Sequence, residues 1–155
     1  MLEKITPYYF DQTTNQWTKS NTDRDVLNQP KRFPLRIATF NVLTDFFPWF
    51  IELAIQSNRR FDATSKMIAE QLDADVIGMN EVTSSFIETL MQNPIIRSQY
   101  YFSDINWIEN KKPGQHNYTA NNTLGARMGN LILSRIPFKE LYRLKLEGNL
   151  SKATR

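Results

Sequence analysis

The chain has 155 residues, 41% hydrophobic and 23% charged, the proportions of an ordinary globular domain with a core, which excludes disorder throughout. Its 19 Lys and Arg against 16 Asp and Glu leave a formal charge of +3; the basic residues are scattered, with Arg59-Arg60 and Lys111-Lys112 as adjacent pairs, so a polyanionic partner is permitted but not demanded. No cysteine is present, which excludes disulfide frameworks and Cys-ligated zinc.

Met1 to Phe10 mixes Glu3 and Lys4 with aromatic residues and has no apolar run of signal-peptide length, so an intracellular location is expected, nucleus or cytoplasm left open. The most apolar stretch, Phe46 to Ile55, contains Pro48 and Glu52 and falls short of the roughly 20 residues that cross a bilayer. No membrane span is expected.

Residues 1–34 are polar, rich in Asn, Thr and Gln and punctuated by Pro30 and Pro34, and read as an N-terminal extension with little periodic structure. Tyr8, Tyr9, Phe10 and Trp17 predict that this arm docks on the body. From Leu35 the character changes: Leu35 to Val42 is β-branched and aromatic and reads as a mostly buried strand with Asn41 near its end. Asp45 to Asn58 reads as a loop entering a short helix. Asp62 is placed as the N-cap of an amphipathic helix whose Ala63, Met67, Ile68 and Leu72 share a face. Asp73-Ala74-Asp75 ends that helix, Val76 to Asn80 has the makeup of a buried central strand, and Glu81 follows at once. Thr83 or Ser84 caps a second helix carrying Phe86, Ile87, Leu90 and Met91, which stops at Pro94. Tyr100 to Trp107 reads as a strand, Ile108 to Ala126 as a polar loop, Gly129 to Ser134 as a buried strand ended by Pro137, and Phe138 to Leu146 as its extended neighbour. This alternation predicts an α/β fold.

Polar groups stand where buried runs give way: Asn41, Glu81, and Asn130 at the entry to the third strand. In open α/β sheets ligands collect at strand ends, where side chains project from a rigid scaffold. A carboxylate at the end of an apolar strand is costly to desolvate unless a cation compensates it, and Mg²⁺ takes one or two carboxylates with water and phosphate in its other positions. The competing reading of Glu81 is a helix-end carboxylate stabilising the dipole of the second helix. Asn41 can hold metal-bound water or a phosphate oxygen, or serve as a turn residue bonding its own backbone. Asp45, Asp73 and Asp75 read as turn or cap residues. His116, the one histidine, reads as a surface residue of the polar loop, whose Lys111, Lys112 and Tyr118, with Arg127, can stack on and steer a nucleic acid.

Three segments, Ile37-Ala38-Thr39-Phe40-Asn41-Val42-Leu43, Asp75-Val76-Ile77-Gly78-Met79-Asn80-Glu81-Val82-Thr83 and Gly129-Asn130-Leu131-Ile132-Leu133-Ser134-Arg135-Ile136-Pro137, resemble in order and spacing the first three motifs of the endonuclease/exonuclease/phosphatase superfamily. Phe86, Leu90, Pro94, Ile96-Arg97, Tyr100-Tyr101 and Ser103-Asp104 look most like 5′-tyrosyl-DNA phosphodiesterase members, while Phe40 to Asp45 also looks like deadenylase-type members. The resemblance divides the chain into an extension (1–34) and a partial domain (35–155). It implies the N-terminal half of a four-layer α/β/β/α sandwich of the DNase I-like type.

The activity it implies is Mg²⁺- or Mn²⁺-dependent hydrolysis of a phosphodiester, with nucleic acid or another phosphodiester as partner. The family's metal-binding Glu falls on Glu81 and its first-strand Asn on Asn41. Asn130 matches a strand position near the family's site, with a structural role as the alternative to substrate binding; Arg127 is a substrate-binding candidate only from its place beside the basic loop. Asn80 stands where the family usually has Gln. The family's later motifs, a strand His, an Asp-x-Asn and a final Asp-His pair, have no counterpart after Asn130 in this chain. One Glu and one Asn cannot both neutralise phosphate charge and activate water; the chain is therefore expected to be an inactive portion of a phosphodiesterase. The alternatives are a non-catalytic nucleic-acid or protein binding module, and a phosphatase of the same fold acting on a lipid or inositol phosphate.

Overall fold

A computed structural model of the chain describes residues 2–20, 34–43, 54–105 and 128–144. The strands and helices in chain order are β1 (Leu2–Lys4), β2 (Tyr8–Asp11), β3 (Gln16–Lys19), β4 (Ile37–Asn41), α1 (Ser57–Glu70), β5 (Val76–Thr83), α2 (Ser84–Gln92), α3 (Pro94–Gln99), β6 (Tyr101–Phe102), β7 (Met128–Ser134) and β8 (Tyr142–Leu144). The fold is mixed α/β, as the alternation of periods predicts.

Six strands form one sheet in the order β3-β2-β6-β7-β5-β4. Only the β4–β5 pairing in it is parallel, running from Ile37 opposite Val76 to Asn41 opposite Asn80; a parallel pair needs a crossover, and α1 supplies it. β7 runs antiparallel to β5, with Ile77 opposite Leu133 and Met79 opposite Leu131. Side chains alternate across a strand, so Ile77, Met79, Leu131, Leu133 and Phe102 share one face, and all five are buried.

The helices form one core cluster with those strand residues. α1 contributes Ser57, Phe61, Ser65 and Ile68, a buried stripe at helical spacing. Phe86, Ile87 and Leu90 do the same for α2, and the rings of Phe61 and Phe86 meet at 5.0 Å. Each of the buried apolar side chains contributes about 1.5–3 kcal/mol on burial, well above the roughly 0–1 kcal/mol of an exposed ion pair. The opposite face is open: Ile37 is 70% exposed, and Thr39, Asn41 and Asn80 are exposed too.

Helix limits differ in detail from the periodicity. α1 begins at Ser57, with Gln56 at its N-cap in the left-handed conformation, so Asp62 is an exposed residue inside the helix rather than its cap. Thr83 does cap α2, its hydroxyl accepting from the Phe86 amide at 3.5 Å. Pro94 follows the end of α2 but also opens α3, a use its fixed φ favours; Asn93 caps α3 by accepting from the Ile95 and Ile96 amides at 3.0 and 3.3 Å.

The N-terminal arm is more structured than its composition predicts. β2 and β3 form a hairpin, turned where Asp11 accepts from the Thr13 amide at 2.8 Å and Asn15 takes a left-handed φ of 56°. β2 then joins β6 through Tyr8 and Phe102. Tyr8 is buried, Trp17 packs edge-on against Phe102 at 4.6 Å, and Arg97 stacks on Phe10 at 4.3 Å, which bears out docking of these aromatic residues.

Residues 142–144 are extended, yet they are not a neighbour of β7. They pair with β1 in a separate two-stranded sheet, Leu2 opposite Leu144, because the turn at Arg135–Ile136, fixed by the Ser134 hydroxyl on the Ile136 amide and carbonyl, carries the chain away. The strand at Tyr100 is short, limited to Tyr101–Phe102. The stretch from Asp45 to Leu53, the polar loop with His116, and Arg127 lie outside the described residues. No helix among the described residues is long and apolar enough to cross a membrane.

Candidate metal centre

The parallel pairing brings the ends of β4 and β5 side by side, which places Asn41 against Asn80 and next to Glu81. The Asn41 amide donates to Glu81 Oε1 at 2.7 Å, a charge-assisted bond. The Asn41 Oδ1 accepts from the Leu43 backbone amide at 2.8 Å, an Asx turn. Both polar ends of Asn41 are thereby used within the protein, and its geometry is that of a group orienting the carboxylate. Among the described residues no other side chain donates to Glu81.

Glu81 owes its direction to a β-bulge. On β5 the register with β7 shifts between Met79 and Val82: Met79 faces Leu131 and Val82 faces Gly129, so Asn80 and Glu81 together oppose Asn130. Glu81 has a φ of 55°, the left-handed region that costs an L-residue about 1–2 kcal/mol. Such strain persists where the surroundings over-determine it, and bulges recur beside active sites, where they re-aim a side chain. Asn130 is exposed on the strand across from the bulge. Asn41, Glu81 and Asn130 are thus brought together at one corner of the sheet.

A second left-handed residue, Leu43 with φ of 63°, lies in the turn after β4. Arg60 of α1 holds this turn: its Nη1 donates to the carbonyl oxygens of Val42 and Leu43, the latter at 2.7 Å, while Nη2 donates to the Ser57 hydroxyl at 3.2 Å. The Val42 amide in turn donates to the Asn80 carbonyl at 3.0 Å. In the sequence Arg60 is recognisable as half of the basic pair Arg59-Arg60. Its helical offset of three from Ser57, on the stripe side of α1, was the available signal.

Asp73 and Asp75 lie at the far end of the same strands. Asp75 is buried and accepts from the Arg36 amide at 3.0 Å, while its own amide donates to the Arg36 carbonyl at 2.8 Å; it laces β4 to β5. Asp73 pairs with Arg36 and with Arg135, the latter at 2.7 Å. The Arg135 hydrogen bond, helped by the Arg36 charge and opposed by burial, holds its carboxyl below the ordinary value of 3.8. Arg135 also lies over the Tyr100 ring at 5.1 Å. The Tyr100 hydroxyl, pushed up chiefly by burial, donates to the Ala74 carbonyl at 3.0 Å. These two acids are structural ties.

No family model matches this chain, and no curated protein or solved structure matches it either. No group of three or more His, Cys, Asp or Glu is gathered anywhere among the described residues. Glu81 is therefore a carboxylate bonded to the Asn41 amide at a bulge that lies opposite Asn130.

Proposed function

We propose that Glu81 is the protein carboxylate of a Mg²⁺ or Mn²⁺ site belonging to a phosphodiester hydrolase of the endonuclease/exonuclease/phosphatase type, with a four-layer sandwich as its complete fold. The observation that carries this reading is the strained, bulge-borne Glu81, held by Asn41 at 2.7 Å and faced by Asn130. The donor set suits a hard cation, which takes few carboxylates and completes its shell with water and phosphate oxygens. An ion held there would neutralise phosphate charge and orient the diester. Asn41 fixes the carboxylate, and Asn130 offers an amide donor to a phosphate oxygen. The open sheet face that carries Ile37 and Thr39 is of the kind a second sheet covers in such a sandwich.

Among the described residues no group of three or more His, Cys, Asp or Glu gathers at Glu81, and one Glu with two Asn side chains cannot both neutralise phosphate charge and activate water. The 155-residue chain should accordingly bind Mn²⁺ without turning over a diester. Titration with Mn²⁺, followed by relaxation enhancement of solvent water, should show one site that is lost in Glu81→Gln. No hydrolysis of bis-nitrophenyl phosphate should depend on Glu81. Binding that survives Glu81→Gln would refute the assignment.

A further inference from the structure

The corner that holds Glu81 is supported by a side chain that bonds neither Glu81 nor Asn41. Arg60 reaches from the first turn of α1 to two successive backbone carbonyls, Val42 and Leu43. Those carbonyls belong to the turn whose Leu43 amide fixes Asn41 Oδ1, and that bond fixes which way the Asn41 amide points, at Glu81. Leu43 is held at a positive φ that an unconstrained leucine avoids. Something must hold it there, and among the described residues Arg60 bonds the carbonyls of both Val42 and Leu43. Its own orientation is set by the Ser57 hydroxyl at 3.2 Å and by the Phe61 ring, 5.0 Å beneath the guanidinium; both belong to the buried stripe of α1. The helix core is in this way connected to the carboxylate through four named groups.

We infer that Arg60 is a positioning residue that sets the cation affinity of the Glu81 corner by clamping the 42–43 turn, so that Asn41 presents its amide to Glu81. The inference rests on the metal-site reading for its affinity consequence, but its geometric content stands apart from any ion. Arginine suits the task because its planar fork reaches two acceptors at once, whereas lysine presents a single point charge. Loss of a residue that orients a ligand typically lowers metal affinity by about tenfold or more.

The test uses the full 155-residue chain and two independent readouts. The first is the Asn41 side-chain NH₂ pair in a nitrogen-15 correlation spectrum, assigned by its disappearance in Asn41→Asp. In the metal-free wild type, the proton donated to Glu81 should be shifted from its free-amide position and exchange slowly with water. In Arg60→Ala it should move to the free-asparagine position and exchange at least about tenfold faster, while the dispersed backbone spectrum persists. Arg60→Lys should fall between the two, and it replaces Arg60→Ala if that variant fails to fold.

The second readout is Mn²⁺ affinity. Arg60→Ala and Asn41→Ala should each weaken binding by about tenfold, and the double variant no further than either alone, because both changes break the same chain of contacts. Losses that multiply in the double variant, or an Asn41 amide unmoved in folded Arg60→Ala, would overturn the inference. Absence of Mn²⁺ binding in the wild type would sink the metal reading alone, and the amide readout would then decide the role of Arg60.

Discussion

At Glu81 the usual order of side-chain preference in a strand should invert. Glycine in a strand interior is ordinarily worse than alanine by roughly 0.5–1 kcal/mol, yet Glu81 has a φ of 55°, where a Cβ costs about 1–2 kcal/mol. Glu81→Gly is therefore expected to be the more stable of the two variants, Glu81→Ala the less, by about 1 kcal/mol in urea unfolding. Equal midpoints, or alanine ahead, would mean that the bulge relaxes when the carboxylate is removed. Both variants should lose the cation, so any stability gained by glycine would separate the backbone cost of the site from its chemistry.

Asp73 gives a residue-scale prediction with a definite sign. Its folded value lies below 3.8 because Arg135 and Arg36 favour the charged form. The unfolded chain thus binds this proton first as pH falls. The contribution of Asp73 to stability is complete above 3.8 and disappears as pH drops through the lower folded value. The difference between wild type and Asp73→Asn should therefore be flat near neutrality and close in acid, measured by urea unfolding across the pH range. The position of this residue was legible in the sequence as a helix end; its arginine partners were not, because Arg36 and Arg135 reach it from strands that come together only in the folded sheet.

Among the elements, Asn93 does two tasks at the joint between α2 and α3. It caps α3 through two backbone amides and donates from Nδ2 to the Ser65 hydroxyl of α1 at 3.1 Å. Asn93→Ala should cost about 1–2 kcal/mol, whereas Asn93→Asp, which keeps the cap acceptor and loses the donor, should cost less. Thermal unfolding of the pair separates cap from tether. β5, α2 and β7 were readable from their apolar runs and clear breakers; β4 was readable as a strand but not as a mostly buried one, since it is an edge strand of five residues with Leu35 and Ile37 exposed beside an open face. α1 was misplaced at its start because Gln56 caps from a left-handed backbone without a side-chain bond, which leaves no residue signature. The bulge was unreadable too: the strand expected to stop at Asn80 runs on to Thr83, and only the register of β7 shows that Asn80 and Glu81 count as two against one. Arg60 belongs with them, because its acceptors are backbone carbonyls that carry no sequence identity.

For the whole molecule, the β2–β3 hairpin is the element whose removal should matter most. Tyr8 and Trp17 cover Phe102, and without them β6 becomes an exposed, aromatic sheet edge. A chain lacking residues 1–20 should lose cooperative unfolding or self-associate, as sedimentation and a thermal melt would show; a monomer melting as sharply as the full chain would contradict this. Polar composition concealed this hairpin, because β2 and β3 are only four residues each and their apolar content is concentrated in a few aromatic residues. Asn41 was legible as a strand end and Asn130 as a strand entry, but Glu81, expected just past a strand ending at Asn80, lies inside β5 at its bulge, so the assembly of the corner depends on the parallel crossover and the bulge.

The pairing of Tyr8 with Phe102 also has a temporal meaning. A ribosome makes the hairpin first and its partner strand roughly ninety residues later, a delay of about 5–20 s at ordinary elongation rates. Throughout that interval Tyr8, Phe10 and Trp17 have no sheet to join, so the nascent chain offers an aromatic ribbon to whatever binds such surfaces near the exit tunnel.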